Sequence, residues 1–175
     1  MIQKPVASSV NDTTQAFLVD VLDVRTEKET QIDWFAHAVS DKVTLLDNLT
    51  GKPKPPGSAN GYQHLSDGVL YEAKGSTRWS FIADKSSLGV WFSNSQPEQI
   101  FTVTGIGYYV EQKVPCLIRR RHARETRFVT VYDLSGNGGG IKGLHSSKDT
   151  AEVETPQGKW SVRFATDGVV VQLPK

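Results

Sequence analysis

A single cysteine among 175 residues leaves no internal disulfide and no cysteine-built zinc cluster. Charge of one sign is also lacking: 20 basic and 19 acidic side chains leave a formal net charge of +1. A chain so balanced has no general field to draw in nucleic acid or an anionic membrane, so any anion recognition is local. No apolar run approaches a membrane span, and Met1-Ile2-Gln3-Lys4-Pro5-Val6 holds no apolar core of signal-peptide length. The expectation is a soluble chain with neither nucleic acid nor membrane as partner. A periplasmic or secreted parent protein is compatible with that, and localisation stays open. Sustained apolar spacing at three and four residues with capping signals is missing too, which argues against a long helix. The run Ser135-Gly136-Asn137-Gly138-Gly139-Gly140 has no following Lys-Ser/Thr pair or helix start, which argues against a phosphate-binding P-loop.

What is present is a hydrophobic content of 38%, enough for one core, cut into short apolar runs by frequent turn residues. The fold class this implies is all-β: an antiparallel β-sandwich, jelly-roll or supersandwich-like, with little or no helix. Residues 1–14 are polar and read as a flexible tail or linker; residues 15–175 read as one sandwich domain. Strands are expected over 15–24, 29–39, 43–49, 77–84, 88–93, 99–110, 116–123 and 126–134, where β-branched and aromatic residues recur at period two. Two successive hairpins are expected over 150–173, turning at Pro156-Gln157-Gly158 and Asp167-Gly168. The stretch Gly51-Lys52-Pro53-Lys54-Pro55-Pro56-Gly57-Ser58 reads as a stiff, extended connection. Cys116, among Val114, Leu117 and Ile118, reads as a buried structural thiol.

Few residues offer chemistry. The densest cationic segment is Arg119-Arg120-Arg121-His122-Ala123-Arg124, and strand alternation puts Arg119 and Arg121 on one face, Arg120 and His122 on the other. Arg119 and Arg121 either recognise a uronate or sulfate or form a solvated face balanced by Glu111, Glu125 or Asp133. Most tryptophans at alternating strand positions belong to a core; Trp91 and Tyr109 are the candidates for stacking on sugar rings. His37 follows Asp33 by four residues, and Asp33 or Asp41 can hold its imidazole in a purely structural bond.

Several segments, in order, resemble the C-terminal β-sandwich of heparinase II/III-like polysaccharide lyases, oligoalginate lyases among them. They are Val19-Asp20, Asp33-Trp34-Phe35-Ala36-His37, Tyr62-Gln63-His64-Leu65, Gly105-Ile106-Gly107, Pro115, Arg119-Arg120 and Phe128-Val129. The likeness covers residues 15–134. It implies β-elimination on a uronate-containing polysaccharide: one group neutralises the carboxylate, a base takes the C5 proton, and an acid protonates the departing glycosidic oxygen. That family supplies its main tyrosine and one histidine from an α/α-toroid domain for which this chain has no room. The resemblance assigns the cleft-facing histidine to His37 and leaves the isolated chain with little or no turnover. Some members carry a structural zinc on two histidines and an aspartate, for which His37, His64 and Asp47 are the trio here. The alternatives are a carbohydrate-binding module or accessory protein for anionic glycans, without catalysis, and a compact lyase with His37 and Tyr62 or Tyr109 as its proton-transfer pair.

Overall fold

Two segments that carry β-branched and aromatic residues along most of their length become the two longest strands of the computed structural model, β2 (Phe17–His37) and β9 (Lys113–Asp133). The described residues are 2–8, of which only the backbone is described, then 16–94, 96–136, 138–147, 149–165 and 168–172. The other strands are β1 (Ile2–Ser8), β3 (Lys42–Leu45), β4 (Lys52–Pro53), β5 (Ser66–Ala73), β6 (Thr77–Ala83), β7 (Ser86–Ser93), β8 (Glu98–Ile106), β10 (Gly143–Ser146), β11 (Thr150–Thr155), β12 (Gly158–Ala165) and β13 (Gly168–Gln172). One turn of 3-10 helix, Tyr62–His64, is the sole helical element among the described residues. The chain is all-β and antiparallel.

Nine strands form one sheet in the order β3-β6-β7-β9-β8-β5-β4, with β2 paired to β9 and β1 paired to β2; β10 to β13 form a second sheet in chain order. Each long strand was expected as two short ones. The expected breaks, 25–28 and 124–125, are polar, but they face each other: pairing runs Phe17↔Asp133 to Arg25↔Glu125, then resumes at Thr30↔Ala123 and ends at His37↔Cys116. This irregularity bends the ribbon without ending it. It exchanges the faces on β9, where Leu117 points inward but Val129 and Val131 point outward, while alternation on β2 is kept, Val19 and Val21 outward, Ile32 and Trp34 inward.

Three apolar clusters follow from that geometry. Inside the curl of the large sheet, Trp34, Trp79, Phe81, Val90, Phe92, Ile100, Leu117 and Phe128 are buried together. Between the two sheets, Phe17, Val19, Trp91 and Val131 of the large sheet meet Leu144, Val153, Trp160 and Phe164 of the small one. This is the sandwich. On the remaining outer surface, Leu70, Phe101, Val103, Val114, Cys116 and Ile118 are covered by Tyr62 and Leu65 from the proline-rich connection. Cys116 is a buried free cysteine as expected; burial pushes its thiol pKa up, and Sγ donates to the Val114 carbonyl at 3.6 Å.

The two terminal hairpins form where turn chemistry placed them, β11 to β12 through Gly158 at φ 129. Asp167 of the second turn and Leu173 lie outside the described residues. The tail reading of residues 1–14 needs correction, because Ile2–Ser8 pairs along Phe17–Asp23 of β2. Its sequence is too polar to announce a strand; the unpaired edge of β2 supplies the partner. β5 and β10 also had no sequence expectation, the first being interrupted by Gly68 and the second only four residues long.

Candidate functional site

Strand alternation on β9 sends successive arginines to opposite faces, and each face supplies its own carboxylate. Arg120 points outward, where cross-strand pairing sets it opposite Asp33 of β2. Its Nε and Nη2 donate to Asp33 Oδ1 and Oδ2 at 2.9 and 2.7 Å, and Nη1 donates to the Pro56 carbonyl at 2.7 Å. The Tyr62 hydroxyl donates to the same Asp33 Oδ2. The Tyr62 ring lies under the Arg120 guanidinium at 5.4 Å and stacks on Phe35 at 6.1 Å. Left-handed Asn60 and Gly61 turn the chain immediately before it. One ion pair therefore ties the connection of residues 51–65 onto the β2/β9 surface.

This face carries His37. Asp33, Phe35 and His37 alternate outward on β2; His37 is exposed, and so is His64, two residues beyond Tyr62. Phe35, 48% exposed, gives the face an apolar platform. Asp33 accepts from Arg120 and Tyr62, so it neither orients His37 nor caps a turn. Burial, then the hydrogen bond to Asp33, raises the Tyr62 pKa above its ordinary value, although Arg120 opposes that rise. Tyr62 is thus held as a phenol that donates to a carboxylate and is a poor proton acceptor at neutral pH.

Arg119 and Arg121 face the opposite way, and the surface reading of both requires correction. They lie inside the curled sheet, 0% and 4% exposed. Glu98 of β8 stands between them: Arg119 Nε donates to Oε1 at 2.9 Å, and Arg121 Nε to Oε2 at 2.7 Å. The remaining Arg119 donors reach the Val129 and Ser93 carbonyls, Thr130 Oγ1 and Asn94 Oδ1. Arg121 Nη1 donates to Thr126 Oγ1 and the Arg127 carbonyl, while Nη2 touches Glu98 Oε2 at 2.7 Å outside hydrogen-bond geometry. Phe92 and Phe128 lie under the Arg119 guanidinium at 4.5 and 5.1 Å. Burial lowers the Arg119 pKa and Glu98 offsets part of that; the guanidinium stays charged. Neither arginine meets a glycan in this arrangement. The alternation of the arginine run was legible, but Glu98, 21 residues before Arg119, gave no local signal.

The remaining candidates scatter. Trp91 is nearly enclosed in the sandwich core with the Arg78 guanidinium 5.5 Å from its ring, whereas Tyr109 is 61% exposed on the turn joining β8 to β9. They stand toward opposite ends of β9 and share no sugar platform. Asp47 is taken by Arg78, whose Nε and backbone N–H donate at 2.7 and 2.6 Å. His37, His64 and Asp47 are not brought together, and among the described residues no group of three or more His, Cys, Asp or Glu is placed to hold a metal. A cavity of about 290 Å³, lined by Asp41, Asp67, Thr104, Lys113 and Pro115, contains none of the expected site residues. No helix of the described residues is long and apolar enough to cross a membrane. No protein-family model matches the chain, and neither does any curated protein.

Proposed function

We propose that this chain is the β-sandwich domain of a heparinase II/III-like polysaccharide lyase, presenting the His37 face as one wall of a site for uronate-containing polysaccharide. The supporting observation is that segments far apart in sequence, those carrying Asp33, Phe35, Tyr62 and Arg120, meet in one hydrogen-bonded cluster on the face that exposes His37, with exposed His64 two residues beyond Tyr62. These segments are the ones on which the resemblance rests. In this reading Asp33, Arg120 and Tyr62 fix the wall, and His37 and His64 offer imidazoles to a sugar carboxylate or hydroxyl. The base for the C5 proton comes from the α/α-toroid domain, because Tyr62 already donates to Asp33 and resists ionisation. The same fact weighs against a self-sufficient lyase using His37 with Tyr62. It favours, as a second reading, a module that binds an anionic glycan without catalysis.

The test is a screen of the chain against alginate, heparin, heparan sulfate, chondroitin and hyaluronan, scoring binding and ultraviolet-absorbing unsaturated product together. Binding without product, weakened several-fold by His37→Ala or His64→Ala, is expected. Product formed by the chain alone would overturn the need for a second domain. Failure to bind any of the five would overturn the glycan reading itself.

A further inference from the structure

A dent in the outer surface of the large sheet is built by two small residues in register. Ser80 of β6 pairs with Gly89 of β7, so the floor lacks side-chain bulk where flanking pairs carry Arg78 with Trp91 and Ile82 with Ser87. Gly89 is held to that role, since a Cβ there would stand 3.0 Å from the Asp133 Cβ. Asp133, fully buried, also shapes one wall: Oδ1 accepts from the Ser135 N–H at 3.0 Å, and Oδ2 from the Gly140 and Ile141 N–H groups at 2.9 and 3.2 Å. The resulting groove has a volume of about 390 Å³. That falls within the ~300–1,000 Å³ of small-molecule sites.

We propose that this groove binds acidic sugar rings, at a site separate from the His37 face. Its lining joins the small part of the Trp91 indole left exposed, 9%, to Ser86, Ser87, Asp84 and the cations Arg78 and Lys85. A sugar ring offers complementary chemistry: an apolar face for the ring edge, hydroxyls that both donate and accept, and here a carboxylate for the cations. Asp47 engages Nε and Nη2 of Arg78, which fixes the guanidinium beside Trp91 and leaves Nη1 as the donor for a ligand. Trp91 pairs with Val131 and His37 with Cys116, so the two sites occupy opposite halves of β9. The choice of an acidic sugar rests on the reading above; the groove itself does not.

The experiment titrates the full chain with oligouronates and with neutral oligosaccharides of equal length, following the Trp91 indole N–H resonance by NMR. Oligouronates are expected to shift that resonance, with affinity at least about ten-fold above the neutral sugars. Arg78→Gln and the exposed-turn variant Lys85→Glu each reduce it by about ten-fold. His37→Ala and His64→Ala leave the Trp91 response unchanged, which separates this site from the histidine face. The proposal is overturned if the resonance does not respond, if Lys85→Glu in a normally folded chain binds as the parent does, or if neutral sugars bind equally.

Discussion

Arg119 and Arg120 are adjacent on one strand, carry the same side chain and each meet a carboxylate, yet their surroundings make them different devices. Around Arg119 the pair is sealed, both partners showing no side-chain exposure, with a second guanidinium sharing the same Glu98. Around Arg120 the pair is mostly covered at 9% and 5%, but its other contacts are to a connecting segment and a tyrosine at the surface. Desolvation dominates the first cluster; the second fastens one segment to another. A sealed ion pair is weak evidence for net stability, but breaking it exposes the full cost of an unpaired buried charge.

The largest effect therefore belongs to Glu98. Glu98→Ala leaves two guanidiniums facing each other in the interior, and the expected loss is about 3–5 kcal/mol in urea unfolding. Converting all three residues to apolar ones of similar volume should recover only part of that loss, because the desolvation cost of the charges disappears but the Ser93 and Val129 carbonyls lose their arginine donors. A Glu98→Ala chain within about 1 kcal/mol of the parent would show that water or rearranged donors reach this interior.

Asp33→Ala comes next. It removes the shared acceptor of Arg120 and Tyr62, but Arg120 keeps the Pro56 carbonyl and can reach solvent, so about 1–3 kcal/mol is expected. The signature is local: the His64 and Leu65 amides, which bond to the Gly61 and Tyr62 carbonyls, exchange faster with solvent while those of β11 and β12 do not. Uniform acceleration across both sheets would mean that the cluster supports the global fold and does not simply fasten the connection.

The same comparison explains what the sequence could reveal. Alternation made Arg119 and Arg121 face-mates and Arg120 their opposite, and turn residues located the terminal hairpins, because both are local properties. Which face is interior depends on the curl of the sheet and on a glutamate from another strand, neither of which leaves a mark within the arginine run. The stretch 51–58 read as extended, and Lys52–Pro53 within it pairs as β4; the landing of the 51–65 connection on Arg120 depends on a cross-strand partner of that arginine, Asp33, 87 residues away. The groove floor was equally hidden, since Ser80 and Gly89 mean nothing until register pairs them. His37 was legible as a strand residue beside an aspartate, but the aspartate turned to the arginine and the tyrosine.

The smallest effect is the most diagnostic of the outer cluster. Tyr62→Phe keeps the ring on Phe35 and under Arg120 while removing the hydroxyl that Asp33 accepts, so about 1 kcal/mol is expected at neutral pH. Its pH dependence has a definite sign. Because the folded Tyr62 pKa stands above its ordinary value, the folded chain keeps a proton that the unfolded chain loses near pH 10. That contribution is fully present below the unfolded value and is lost as pH rises through the folded one. Buried Tyr132, whose pKa is also raised, acts in the same direction and is untouched by the substitution. The unfolding free energy of the parent should therefore fall more steeply above about pH 10 than that of Tyr62→Phe, and the two curves should run parallel below it. Parallel curves throughout the alkaline range would mean that Tyr62 is not held against Asp33 in solution, leaving Arg120 alone to carry the attachment of the proline-rich connection.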